Sequence, residues 1–232
     1  WVNHETGTVF PVEDYGAVAR QTGARFAIDG AQALGKVPVN VGAFPVDALA
    51  VASSKVGGPA GAGALWIRRG VPLTPQLWGG SQERGRRAGS PDPVTQAGFG
   101  AAAHHVTDRL GSMAAVADRR DRLEGVLREL GAQPNGGGPR VATVTNVSVP
   151  GWKGDALVAA LDVEGLCASA GAACSAGIPE PSAVVSAMYP AEPWRAAATL
   201  RLSFGPETTD DEVERAALVL KGVLSRRKLE RV

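Results

Sequence analysis

Two ionisable residues of opposite charge each follow a short apolar run: Asp29 closes Arg25-Phe-Ala-Ile, and Lys55 comes after the run 46–52 and the pair Ser53-Ser54. If both runs are strands of an open α/β sheet, the two charges sit at carboxyl ends of neighbouring strands, where such sheets bind ligands. A lysine partly removed from water there loses proton affinity and becomes a candidate for Schiff-base chemistry. An acidic neighbour can hold a protonated pyridine nitrogen. The same two residues also make an ordinary structural ion pair, and their spacing does not separate the readings. Cys174 lies among small residues, Ala170-Gly-Ala-Ala-Cys174-Ser-Ala-Gly, a setting for an accessible thiol. A free cysteine is otherwise a small buried hydrophobe, which is the expectation for Cys167 inside the apolar run 166–170. Arg201, in Leu200-Arg-Leu-Ser-Phe204, alternates onto one face with Ser203. A guanidinium there can grip a carboxylate bidentately or bridge two domains, and spacing leaves both open.

The elements that must position these groups are legible in outline. Apolar positions over 12–21 predict a helix closed by Gly23, and the runs 25–29, 46–52 and 63–68 predict strands covered on both faces, as in parallel sheets. Residues 73–93, rich in glycine, arginine and serine, predict a long surface loop. Helical periodicity over 96–130 predicts one long helix bent near Gly111, with His104 and His105 in surface or packing roles. Beyond the turn at 135–138 come strands at 141–149, 166–170 and 199–204, and helices at 154–162, after Pro181 and at the end. Thr209 and Glu212 carry the capping-box signature of that last helix. The fold class is α/β, divided as a large-domain part over 1–112 with a mainly parallel sheet and a small α+β domain over 113–232.

Composition narrows the function. Over 232 residues, 24 basic against 23 acidic side chains leave a formal charge of +1, so no field steers polyanions and nucleic acid is not an expected partner. No apolar run reaches the roughly 18 residues of a membrane helix, and no signal-like segment opens the chain, which reads as cytoplasmic. Two cysteines at this spacing match neither a disulfide framework nor a metal site, so no metal is expected.

A set of motifs in fixed order then becomes informative: Asn3-His-Glu-Thr-Gly7, Asp29-Gly-Ala-Gln32, Ser53-Ser-Lys55 with Gly58-Pro59, Gly79-Gly-Ser-Gln-Glu-Arg84, Arg87-Ala-Gly-Ser90, Asn146-Val-Ser148, Gly171-Ala-Ala-Cys174, Glu180-Pro-Ser182 and Arg201-Leu-Ser-Phe-Gly205. Together they resemble the cysteine desulfurases of the class V aminotransferase family, and the stretch from Cys174 to Ser182 is similar to the NifS/IscS-like group. The resemblance implies the type I fold of pyridoxal 5'-phosphate enzymes. It implies that Lys55 binds the cofactor covalently and moves protons, that Asp29 pairs with the pyridinium nitrogen and that Gln32 bonds the phenolic oxygen. It further implies that Arg201 clamps the carboxylate of L-cysteine and that Cys174 takes the sulfur as a persulfide. Ser90 would reach the cofactor phosphate of a partner subunit in a homodimer, and the sulfur would pass to an acceptor or scaffold protein for iron–sulfur cluster or thio-cofactor synthesis.

Departures from the family pattern are specific. His4 stands where the family has an asparagine beside the phenolic oxygen, and an imidazole can still donate there. Ser54 stands where it has a histidine and remains able to bond phosphate; Ala52 replaces a serine. An N-terminal part bearing a phosphate-binding turn and a ring-stacking histidine has no counterpart in this sequence, so cofactor binding is expected to need a partner segment. Selenocysteine lyase or class V aminotransferase chemistry, or a non-catalytic interaction module on the same fold, are the competing expectations.

Overall fold

The computed structural model describes residues 1–171 and 180–229. Two units emerge, one of Trp1 with Pro11–Leu110 and one of Val2–Phe10 with Gly111–Val232. Residues 2–10, grouped by sequence with the first domain, therefore cluster with the second unit, and its boundary falls at Gly111.

In the first unit, helix α1 (Val12–Thr22) carries Glu13 and Asp14 in its first turn and Arg20 in its last, charges that suit the helix dipole. Gly23, at φ 69°, ends it by directing its N–H to the carbonyls of Ala19 and Arg20, a left-handed cap that glycine adopts without strain. Strands β1 (Ala27–Asp29) and β2 (Ala48–Ala52) pair in parallel, Asp29 opposite Ala50. Strand β3 (Gly63–Ile67) pairs antiparallel with β2. The sheet is thus mixed rather than mainly parallel. Only residues 53–62 join β2 to β3, and a parallel return needs a crossover of about a dozen residues or more. The double coverage expected of these strands also fails at β3, where Leu65 is 52% exposed. Val12, Ile28, Phe44, Val46 and Leu49 form the unit's core.

The long helix expected over 96–130 is two helices, α2 (Pro93–His104) and α3 (Val106–Glu129). The break is at His105, whose backbone (φ −90°, ψ 3°) leaves the helical region, and Gly111 lies within α3. Asp92 starts α2 by accepting the N–H groups of Val94 and Thr95 at 3.0 and 3.3 Å, followed by Pro93 in the first turn. His104 and His105 are exposed.

In the second unit, β4 (Gln133–Pro134), β5 (Val144–Ser148) and β6 (Thr199–Ser203) form an antiparallel sheet in that order. It packs with α3, α4 (Gly154–Val163) and α7 (Asp210–Leu229) around Leu127, Leu157, Leu161, Leu200 and Leu220, none of which has measurable exposure. Burying each contributes about 1.5–3 kcal/mol. Two short helices, α5 (Ala183–Met188) and α6 (Trp194–Ala197), precede β6. The expected capping box is present: Thr209 N–H donates to Glu212 Oε2 at 2.8 Å and Glu212 N–H to Thr209 Oγ1 at 3.2 Å. The strand expected over 166–170 reduces to a single bridge between Ser169 and Arg201. Cys167 is exposed, not buried. Leu166 and Ala168 pack on the core, and period-two alternation turns the residue between them outward.

Gly154 opens α4 against β6, and a Cβ there would lie 2.6 Å from the Thr199 carbonyl oxygen. A backbone oxygen has no rotamer to retreat to, so Gly154→Ala should destabilise the protein by about 1–3 kcal/mol. Urea unfolding followed by circular dichroism measures it, and an unchanged midpoint would refute the close approach. Among the described residues no helix is long and apolar enough to cross a membrane.

Candidate functional site

Lys55 sits in a single 3₁₀ turn, Ser53–Val56, directly after β2 and closed by Gly57 at φ 83°. Ser53 is fully buried, and its Oγ has no hydrogen-bond partner among the described residues. That serine roots the turn: its N–H donates to the Ala62 carbonyl and its own carbonyl accepts from Gly58. Gly98 in α2 is close enough to Pro59 that a Cβ would meet the proline ring at 2.8 Å, so the helix backs the turn from behind. With the root buried, Ser54 and Lys55 face outward and are exposed. The Lys55 amine has no ion-pair or hydrogen-bond partner among the described residues. The partial desolvation expected for it is accordingly not supplied by those residues.

Asp29 ends β1, the parallel neighbour of β2, so the carboxylate and the lysine turn belong to the same end of the sheet. One oxygen, Oδ1, accepts the Ala31 N–H at 2.9 Å, which fixes the side chain across the following turn. Gly30 donates to the Ala50 carbonyl at 2.8 Å, tying that turn to β2. Gln32, half-buried in the turn, has its carbonyl oxygen engaged by the Lys36 ammonium. Its amide NH₂ is thereby the end left to donate. Asp29, Gln32, Ser54 and Lys55 thus all lie at one end of the sheet, past the carboxyl ends of β1 and β2. Ser90 is exposed in the loop before Asp92 and makes no hydrogen bond to them.

Arg201 and His4 come together in the second unit. Arg201 lies opposite Asn146 on β5, on the sheet face away from Leu200 and Leu202. Its Nη1 donates to the His4 carbonyl at 3.1 Å, while its Nε is buried with no partner among the described residues. The His4 imidazole is 43% exposed, with Nε2 3.9 Å from Glu5 Oε1. Cys174 lies outside the described residues. The two ends of its segment are described: Gly171 N–H donates to Thr199 Oγ1 at 2.9 Å, and Ser182 N–H to the Ala196 carbonyl at 3.1 Å.

Sequence reasoning assigned no role to a buried polar network beneath Arg201. Asn135 bonds Asn146 and Ser148 at 2.8 Å each, and Arg195 donates back to Asn135. Glu5, 2% exposed, accepts the Ser182 hydroxyl at 2.6 Å. Glu5, Asn146, Ser148 and Ser182 all fall within the motifs singled out above, so their recurrence there was the available signal.

The chain is 40% identical to a cysteine desulfurase of Gluconacetobacter diazotrophicus over 234 residues, covering 97% of this chain and 57% of that protein. It is 38% identical to an IscS-like cysteine desulfurase of Mycobacterium tuberculosis, covering 97% and 58%. A solved structure described as a NifS-like protein superposes with a TM-score of 0.86 at 27% identity, covering 98% of this chain and 60% of the other. The chain therefore spans somewhat over half the length of the curated relatives it matches. The model of the aminotransferase class-V family matches residues 1–216, and with its motifs distributed over two units of matching fold, the chain belongs to that family.

Proposed function

We propose that this chain forms the larger part of a pyridoxal-phosphate-dependent cysteine desulfurase, turning L-cysteine into L-alanine and holding the sulfur on Cys174 as a persulfide. The observation that carries the reading is the Lys55 amine, unpaired among the described residues, at the same end of the sheet as Asp29, just past the carboxyl ends of parallel β1 and β2. Family membership and the desulfurase relatives support it.

The residues present fit the cofactor by donor type. Lys55 offers a free amine for covalent attachment, Asp29 retains a carboxylate oxygen for a protonated ring nitrogen, and the Gln32 NH₂ and the His4 imidazole offer donors to a phenolic oxygen. Ser54 offers a hydroxyl to phosphate, as does Ser90 toward the phosphate of a partner subunit in a homodimer. When bound, the cofactor supplies an electron-withdrawing ring that stabilises negative charge beside the substrate Cα. The chain's own residues do the rest. Arg201 grips the substrate carboxylate, a ligand that would satisfy its orphaned Nε donor. The Cys174 thiolate attacks the substrate sulfur, so that the carbon–sulfur bond breaks as a sulfur–sulfur bond forms. Lys55 moves the protons, and the carbon released from sulfur is protonated to the methyl group of alanine. Transfer of the outer sulfur to an acceptor or scaffold protein in the cytoplasm, for iron–sulfur cluster or thio-cofactor synthesis, completes the reading.

Incubating the protein with pyridoxal phosphate, L-cysteine and a thiol reductant should yield alanine and sulfide in equal amounts. A keto acid formed without sulfide would overturn the desulfurase reading in favour of transamination.

A further inference from the structure

Three residues remote in sequence converge on the turn at residues 3–7. Arg201 Nη1 donates to the His4 carbonyl at 3.1 Å, Asn146 Nδ2 donates to the Glu5 carbonyl at 3.2 Å, and Ser182 Oγ donates to Glu5 Oε2 at 2.6 Å. The turn is itself built tightly: Asn3 Oδ1 accepts the N–H groups of Glu5 and Thr6, both at 2.9 Å, and Gly7 N–H returns to the Asn3 carbonyl at 3.0 Å. Glu5 is nearly inaccessible to water, and a buried carboxylate is tolerated only where its partners are fixed. Ser182 is equally fixed. Its hydroxyl donates to Glu5 and accepts the Val185 N–H at 3.0 Å, capping α5 at the point where the chain leaves the cysteine segment. One side chain therefore joins the frame of Arg201 to the stem of that segment.

We infer that Glu5 is a positioning residue, fastening the Ser182 stem to the turn whose His4 carbonyl receives Arg201, so that carboxylate binding and sulfur transfer share a common geometry. The inference rests on the roles given above to Arg201 and Cys174. The requirement is for an acceptor oxygen, because the contact that reaches Ser182 is a hydrogen bond received by the carboxylate. Glutamine preserves that acceptor and leucine removes it at similar volume.

In the protein loaded with pyridoxal phosphate, Glu5→Leu should lower kcat for L-cysteine by about tenfold, the scale of one buried hydrogen bond, and leave KM near wild type, because Arg201 and Asn146 reach the backbone carbonyls of His4 and Glu5. Glu5→Gln should restore kcat to near wild type. Ser182→Ala should lower kcat with KM unchanged, since the tie between the turn and Arg201 is left in place. A purely structural role would instead lower cofactor content and folded fraction, with normal constants per loaded site. Unchanged constants in Glu5→Leu, or equal damage from Glu5→Gln, would overturn the inference. Hydrogen exchange gives a readout free of catalysis: the Val185 amide should exchange faster in Glu5→Leu while the β5 amides do not, and unaltered exchange at Val185 would also overturn it. Should the wild type make no alanine, the desulfurase reading fails while the exchange result still decides whether Glu5 holds the stem.

Discussion

Lys55→Ala is expected to abolish the visible absorbance that pyridoxal phosphate acquires on attachment to the protein and to reduce alanine formation by at least 10²–10⁴-fold, roughly the value of positioned proton transfer alone. The expectation is sharp because the substitution should leave the fold alone. The Lys55 side chain is exposed in its 3₁₀ turn, and the turn is rooted by buried Ser53 and Val56 and by Gly57, none of which depends on the ammonium. Exposed changes of this kind typically alter stability by no more than about 0.5 kcal/mol. Lys55→Arg sharpens the test further: it keeps a positive charge at the same end of the sheet but offers no amine that can attach covalently. If Lys55 contributed only a positive charge beside Asp29, arginine would preserve its function. If Lys55 is the attachment point, arginine should be as dead as alanine while both variants melt with the wild type. Absorbance that persists in Lys55→Ala would remove the lysine from the cofactor's chemistry and take the proposed function with it.

The parts of this molecule that announced themselves in the sequence are those governed by neighbours along the chain. Gly23 closes α1 because a left-handed cap needs no partner beyond the previous turn. Thr209 and Glu212 satisfy each other's amides across three residues. The placing of Asp29 and Lys55 was legible for the same reason, since Asp29 ends its apolar run, Lys55 follows two serines after its own, and the parallel pairing then places both runs side by side. Features decided by distant contacts were not legible. The antiparallel return of β3 depends on how short the 53–62 connection is, which apolar patterning does not weigh. The exposure of Cys167 depends on which neighbours face the core, and the break at His105 interrupts a helical periodicity that continues on both sides of it. Glu5 is the clearest case. A glutamate in a short polar motif reads as surface, yet here it accepts a hydrogen bond from a serine 177 positions later. The motif recorded that something was there, and only tertiary pairing could say what.

The same logic marks Glu124 as a residue whose loss should cost the second unit heavily. Its side chain, 5% exposed on α3, accepts from Arg140 at 2.8 and 3.2 Å, from Arg128 at 2.8 Å and from the buried Thr145 hydroxyl of β5 at 2.7 Å. Burial pushes the carboxyl pKa up, but the hydrogen bonds from Arg140, Thr145 and Arg128 outweigh it and hold the group at about 2. Because the folded value lies below the unfolded one, ionised Glu124 stabilises the fold fully above the ordinary glutamate pKa of about 4.3. That contribution, of order 3 kcal/mol, is lost as pH falls from there through about 2. Glu124→Gln should therefore lower unfolding free energy at neutral pH by about 3 kcal/mol, the low end for breaking a buried pair from one side. The gap between variant and wild type should close as the pH approaches 2. The exposed pair of Arg119 with Asp210 serves as the control. It is screened by solvent, so Asp210→Asn should move the urea midpoint much less. A Glu124→Gln variant that unfolds with the wild type at pH 7, or a gap that stays constant down to pH 2, would show that the carboxylate is not the clamp between α3 and β5.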